Sequence, residues 1–344
     1  MLNQTLISLV CLSFVGCVDV DDETFGSIDS ELALSSWSPS ASTGKHAYHS
    51  GQIASLNGVT YLVHSSRCGA WSCWGDSKDI LWSKLTPSGW TSSATISGQR
   101  ANSKVSLAPF NGFLYMAHSG ESDSTAVWLT RFDPATEQWS TNYKLAVVSQ
   151  AGPPAMAAFN GRLHFVGSNP DGSMWATSMN TAEVFTPASA IGQRSMSRSS
   201  LAVFQNKLHL AHRDNGGTRI LHSTSTNGTA WTAPQTIPGG ASGVLEGYEP
   251  LLAAHDNNLH LVHRRPGSHN VWWTYFNGAW AGEITLNTLT STVEPSFSNG
   301  GSGLALISTT NDTWNGVIES RSLFFSQYAS PFAPIDPGPC CIIK

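Results

Sequence analysis

No stretch of this 344-residue chain shows convincing helical periodicity. That excludes helix bundles and doubly wound α/β folds as the framework. Charge is scarce too, at 12% of residues, and the formal net charge is −5. A chain of that balance offers nucleic acid no electrostatic footprint. Past the N-terminus there is no run of about 20 apolar residues, so no later segment reads as a membrane-spanning helix. The six cysteines include no C-x-x-C pair, and no Cys/His cluster has zinc spacing. Gly-x-Ser-x-Gly, His-Glu-x-x-His and a phosphate-binding glycine loop are all missing, so no familiar nucleophile, metal or phosphate site is announced. No metal and no cofactor is expected.

What the chain does have is a repeat. Its core reads apolar-Ala-x-Phe-Asn-Gly-x-Leu-His-Leu-Val-His, with clear copies at Leu107–His118, Met156–Gly167, Leu201–His212 and Leu252–His263. A looser copy comes first (Ile53–His64) and a degraded one last (Phe297–Ser308). The fifth residues, Asn57, Asn111, Asn160, Gln205, Asp256 and Gly301, are 54, 49, 45, 51 and 45 residues apart. Periods of roughly 40–50 residues with strand-like content indicate propeller blades.

Each copy divides into four antiparallel strands, A to D. Strand A ends in a Phe-Asn-Gly turn that tolerates positive φ at both central positions. Strand B alternates with period two, strand C carries a central aromatic or His, and strand D opens on an aromatic. A lone sheet of this kind has two apolar faces. Packing six around an axis buries both faces of each. Trp82, Trp128, Trp175 and Trp272 then read as aromatics packed between blades. The expectation is an all-β, six-bladed β-propeller of four-stranded blades, over residues 37–335. Ser36-Trp37-Ser38-Pro39 looks like the opening of a strand D with no blade before it. It is expected to complete the last blade and close the ring. The competing arrangement gives blade six its own last strand near Phe332-Ala333-Pro334-Ile335. Five blades with an irregular extension, or seven, are the alternative counts.

The termini are read separately. Leu6–Val15 is a short apolar run, followed by Phe14-Val15-Gly16-Cys17. This resembles a bacterial lipoprotein signal, which implies a signal over residues 1–16, lipidation of Cys17, a polar tether to residue 36, and export with attachment to a membrane only through the lipid. An ordinary secretory signal is the alternative. Cys68 and Cys73 lie in one expected loop, as a local disulfide or as two free thiols. Residues 336–344, with Cys340 and Cys341, form a tail with no assigned role.

The Ala-x-Phe-Asn-Gly-x-Leu-His-Leu-Val-His core, the Trp/His-Ser-Thr strand after it, and Asn227-Gly228-Thr229-Ala230-Trp231-Thr232 together resemble the blades of bacterial β-propeller lectins, among them the fucose-binding propellers. Thr224–Trp231 is also similar to the Asp-box turn of sialidases, with Thr226 where that turn has Asp. The resemblance covers most of residues 37–335 and implies a propeller with glycans as its partners.

Strand direction puts the A–B hairpins and C–D turns on one face and the variable B–C and D–A loops on the other, where function is expected. His64, His118, His212 and His263 close strand B, and Arg213 and Arg264 follow two of them. Arg100 and Arg194 end two Gly-Gln-Arg triplets, and Tyr248 and Glu249 precede blade five. These ten residues are the candidate ligand-binding set. Arg and Glu offer the planar donors and acceptors that sugar hydroxyls need, and an aromatic suits the ring's C–H face. Several shallow sites would gain strength through avidity. The plainer alternative is that each His bonds a neighbouring backbone group. Four His spaced once per blade cannot converge on one zinc ion. A non-catalytic, exported glycan-binding propeller is therefore expected. A glycosidase with an axial site and a protein-interaction scaffold stand as the alternatives. Oligomeric state is not legible.

Overall fold

The computed structural model describes residues 37–328, apart from 67–77, 102, 150, 240–244, 301–302 and 315–316. Cys17, Cys68, Cys73 and the C-terminal tail, with the alternative strand near Phe332, lie outside the described residues. Within them the chain is all strand, turn and loop, with no helix.

The A strands are Gln52–Leu56, Ser106–Phe110, Ala155–Phe159, Ser200–Phe204, Tyr248–His255 and Ser296–Asn299. Each pairs antiparallel with its own strand B, and B pairs with C. Six separate sheets result. In blades one and two a two-residue strand (Gly89–Trp90, Gln138–Trp139) also joins the C strand beside its turn. Successive A strands touch their neighbours, and the sixth touches the first, so they line a closed ring. This is a six-bladed β-propeller. Blade two therefore stands opposite blade five across the axis.

Local chemistry explains the hairpins. Asn57, Asn111 and Asn160 take φ of 52°, 50° and 48°, and the glycines after them 78°, 79° and 71°. Left-handed backbone at both central positions matches the twist of the flanking strands, and Asn-Gly adopts it at little cost. Blades four and five use Gln205-Asn206 and Asp256-Asn257 in the same way.

Strand B is buried on both sides. In blade three Leu163, Phe165 and Val166 are inaccessible and His164 nearly so. Apolar clusters fill every seam between neighbouring blades, for example Leu163, Phe165 and Trp175 of blade three against Ala117 and Leu129 of blade two. Trp175 is a core aromatic as expected. In blade five Trp273 takes that role, while Trp272 is only half-buried, beneath the Arg265 guanidinium at 3.6 Å.

The ring closes through the N-terminal segment. Ala41–Ala47 pairs with Arg321–Phe325 as the fourth strand of blade six. Trp37 forms a bridge to Tyr328 and packs on Tyr328 and Phe297 at 5.5 and 6.4 Å. The two ends of the described chain thus share one sheet.

Candidate functional site

The repeat supplies a structural column that its consensus hides. Four residues before the central Ala of each strand A (Ser298 in blade six) stand Ser50, Lys104, Pro153, Arg198, Glu249 and Glu294. A propeller brings equivalent residues of all blades to one level around the axis. Here that level is the D–A mouth of an axial cavity of about 520 Å³. Small residues wall it: Ala54, Ala108, Ala157, Ala202 and Ala253, with the serines of the A strands. Short side chains on the innermost strands keep the axis open.

Charged groups from four blades meet at this mouth. Lys104 Nζ lies 3.4 Å from Glu249 Oε2 and 3.5 Å from Glu294 Oε2, and donates to the Glu294 carbonyl at 2.8 Å. Both carboxylate oxygens are near one nitrogen, so they are less than about 7 Å apart. Arg264 Nη1 is 3.7 Å from Glu294 Oε1 and its Nη2 donates to Ser268 O. Arg198 Nη2 donates to Val105 O at 3.0 Å and Ser106 Oγ at 3.1 Å. Burial lowers the pKa of Lys104, opposed by Glu249 and Glu294, and burial lowers that of Arg198. Burial alone would raise Glu294. The Lys104 charge, its own backbone and Arg264 outweigh this and hold it below the usual carboxylate value. Glu294 is therefore a persistent anion at neutral pH.

The structure sorts the six expected ligand residues other than histidine into three groups. Glu249 and Arg264 belong to the axial mouth. Arg213 and Tyr248 pair beside it, the guanidinium carbon 5.5 Å from the ring centroid. Arg100 and Arg194 stay apart on the rim. Arg100 bridges Asp79 and Glu121 at 3.2 and 2.7 Å, and Arg194 donates to the Asp171 carbonyl.

The strand-closing histidines are not pocket linings, and that expectation is corrected. His64, His118, His212 and His263 are all at most 3% exposed. The Nδ1 of the first three donates to the carbonyl of the next residue, at 2.9–3.0 Å. Nε2 of His212 faces the Gln193 side-chain amide at 2.9 Å, and with Nδ1 as the donor it accepts from that amide when its nitrogen is turned to the ring. In blade five Nε2 instead meets the buried Glu283 carboxylate at 2.5 Å. Burial pushes His64 down to about 4 and lowers His118 and His212. The period-two side-chain alternation carries each ring into the seam between blades. Blade three has Gly167 here because Trp175 fills the space: a Cβ would come within 2.5 Å of its ring.

The Gly-Gln-Arg triplets are also structural. Gln99 and Gln193 are buried and reach from strand D of one blade to Thr130 and Ser223 on strand C of the next, at 3.1 and 2.9 Å. His212→Ala would leave the Gln193 side-chain amide with one partner fewer. Urea unfolding is expected to show a loss of about 1–3 kcal/mol, with glycan binding unchanged.

Lys104, Arg198 and Glu294 were not among the expected site residues. Their signal was the repeat column, which varies in charge and so leaves no consensus. Among the described residues no group of three His, Cys, Asp or Glu comes together to hold a metal ion.

No family model matches the chain, and no curated protein matches it in sequence. Solved structures do match in fold. A protein of unknown function from Dyadobacter fermentans DSM 18053 superposes with a TM-score of 0.62 at 13% identity, covering 85% of this chain and 98% of the other. A Trypanosoma rangeli sialidase in complex with the inhibitor DANA gives 0.54 at 13% identity, over 82% of this chain and 55% of the sialidase. The chain thus spans about half the length of the sialidase. At such identity the likeness concerns the fold alone.

Proposed function

We propose that the protein is a carbohydrate-binding propeller whose ligand enters the D–A mouth of the axial cavity. One observation carries the reading: a half-enclosed cavity of about 520 Å³ lined by Lys104, Arg198 and Glu249, with Glu294 and Arg264 joined to them by ion pairs, so that charged groups of four blades gather at one mouth. Sugar hydroxyls are matched by planar guanidinium and carboxylate groups, which give and accept paired hydrogen bonds in fixed directions. Concave, preformed sites with a few convergent polar groups are where small ligands bind. The lectin-like blades and the sialidase-like fold support the same class of ligand.

A hydrolytic reading has one observation in its favour, the two carboxylates less than about 7 Å apart, within reach of the spacing glycosidases use. Against it, one carboxyl of such a pair has to hold a proton near neutral pH, which needs a raised pKa. Glu294, shifted the other way, could serve only as the anionic member of such a pair, and Lys104 Nζ already stands between the two carboxylates. Binding without cleavage is the better account.

A glycan array with the full chain tests this, followed by calorimetry on the glycans retained. Glu249→Gln is expected to weaken binding at least tenfold. Arg100→Gln, on the rim, is expected to leave it unchanged. The reverse pattern would move the site to the rim. Turnover of a chromogenic glycoside that Glu249→Gln abolishes would establish the enzyme instead.

A further inference from the structure

Three charged side chains that line the cavity, Lys104, Arg198 and Glu249, are divided between two sides of the axial mouth. Lys104 comes from blade two. Arg198 comes from blade four but anchors its tip on Val105 and Ser106 of blade two. It passes in front of blade three, which offers only Pro153 at this level. Lys104 and Arg198 are thus collected on one side, and the Arg198 charge helps depress Lys104. The two carboxylates come from blades five and six, on the other side, where Arg264 of blade five stands 3.7 Å from Glu294 and leaves Glu249 to Lys104.

Neither side is fully satisfied by the other. Ammonium–carboxylate hydrogen bonds close at about 2.7–2.9 Å, yet Lys104 stands 3.4 and 3.5 Å from the two glutamates it serves. Arg198 donates to a carbonyl and a hydroxyl rather than to a carboxylate. Glu249 also holds a left-handed backbone, φ 27°, at an irregularity of its strand between Tyr248 and Leu251. The other non-glycine residues with positive φ are in the A–B and C–D turns. Unfavourable backbone at a site persists where the surrounding structure fixes that residue's position.

Two like charges held together favour a ligand group of opposite sign. We propose that the axial site takes a zwitterionic sugar, with an anionic group against Lys104 and Arg198 and a protonated amine against Glu249 and Glu294. This rests on the carbohydrate reading of the same cavity. The ligand's amine enters between the two carboxylates, and its anionic group replaces Glu249 on Lys104.

Four probes separate the contributions in calorimetry with the full chain. Muramic acid carries a free amine and a carboxylate, N-acetylmuramic acid the carboxylate alone, glucosamine the amine alone, and glucose neither. Muramic acid is expected to bind at least tenfold more tightly than each of the others. Glu249→Gln is expected to erase its advantage over N-acetylmuramic acid, and Arg198→Gln its advantage over glucosamine. Thermal melts check that both variants fold. Glu249→Gly, which relieves the positive φ, is a second carboxylate deletion and is expected to lose the same preference. Equal affinity for muramic and N-acetylmuramic acid overturns the proposal. So does a preference that survives Glu249→Gln. If all four sugars bind alike and all weaken in Glu249→Gln, the axial carbohydrate site stands and its zwitterion preference does not. If none of the four binds, the zwitterion proposal falls, and the array alone decides the carbohydrate reading.

Discussion

Acidification from pH 7 to 5 is expected to remove most of the propeller's stability. Burial holds His64, His209 and His260 at a pKa of about 4 and His222 at about 3. Each is neutral in the folded chain, while the same side chain titrates near 6.5 when unfolded. Below pH 6.5 the unfolded state therefore binds protons that the folded state refuses. Stability falls by about 1.4 kcal/mol per pH unit per histidine until the folded pKa is reached. His209 and His222 share a hydrogen bond at 2.9 Å with rings stacked at 5.1 Å, so the pair counts as roughly one site in this window. Three effective sites cost roughly 6 kcal/mol at pH 5. Whole domains have only about 5–15 kcal/mol to lose. His118, His164 and His212 are shifted in the same direction and add to the loss. Urea unfolding followed by tryptophan fluorescence at pH 7, 6 and 5 gives the slope directly. A denaturation midpoint that stays constant over this range would show that the buried rings gain protons without cost.

Removing the closing strand is expected to have an effect of similar size. A chain beginning at residue 48 lacks Trp37 and the strand Ala41–Ala47. It therefore loses the ladder with Arg321–Phe325 and the aromatic contacts of Trp37 with Phe297 and Tyr328. Deleting a buried Trp side chain alone costs about 3–5 kcal/mol. With the ladder included, the loss is on the order of 5 kcal/mol or more. The exposed edge of Val317–Tyr328 would also become a template for intermolecular pairing. Urea midpoints of chains starting at residues 37 and 48 measure the difference, and a synthetic 37–47 peptide added in trans is expected to restore part of it. Equal midpoints would mean that packing between blades alone closes the ring.

The amino-acid order alone settled the fold. The spacing of the six repeat cores set the number of blades. Period-two alternation with apolar residues on both sides of strand B required sheets packed face to face. The unpaired Trp37 segment foretold the closure. These features are local or repeat faithfully, so they survive in one dimension. Trp175 shows the same economy, since a single departure at Gly167 and one large ring explain each other.

The site was decided at the tertiary level. Repetition made the strand-closing histidines conspicuous, yet a residue that serves a seam between blades recurs as regularly as one that serves a ligand. Only the packing showed that these rings face inward. Lys104, Arg198, Glu249 and Glu294 are about 50–190 residues apart in sequence and differ in charge, and they become neighbours because a closed ring sets equivalent positions around one axis. Patterning along the chain therefore specified what each blade buries. Ring closure alone determined which side chains meet at the centre, because that meeting depends on distances across the axis that no local stretch encodes.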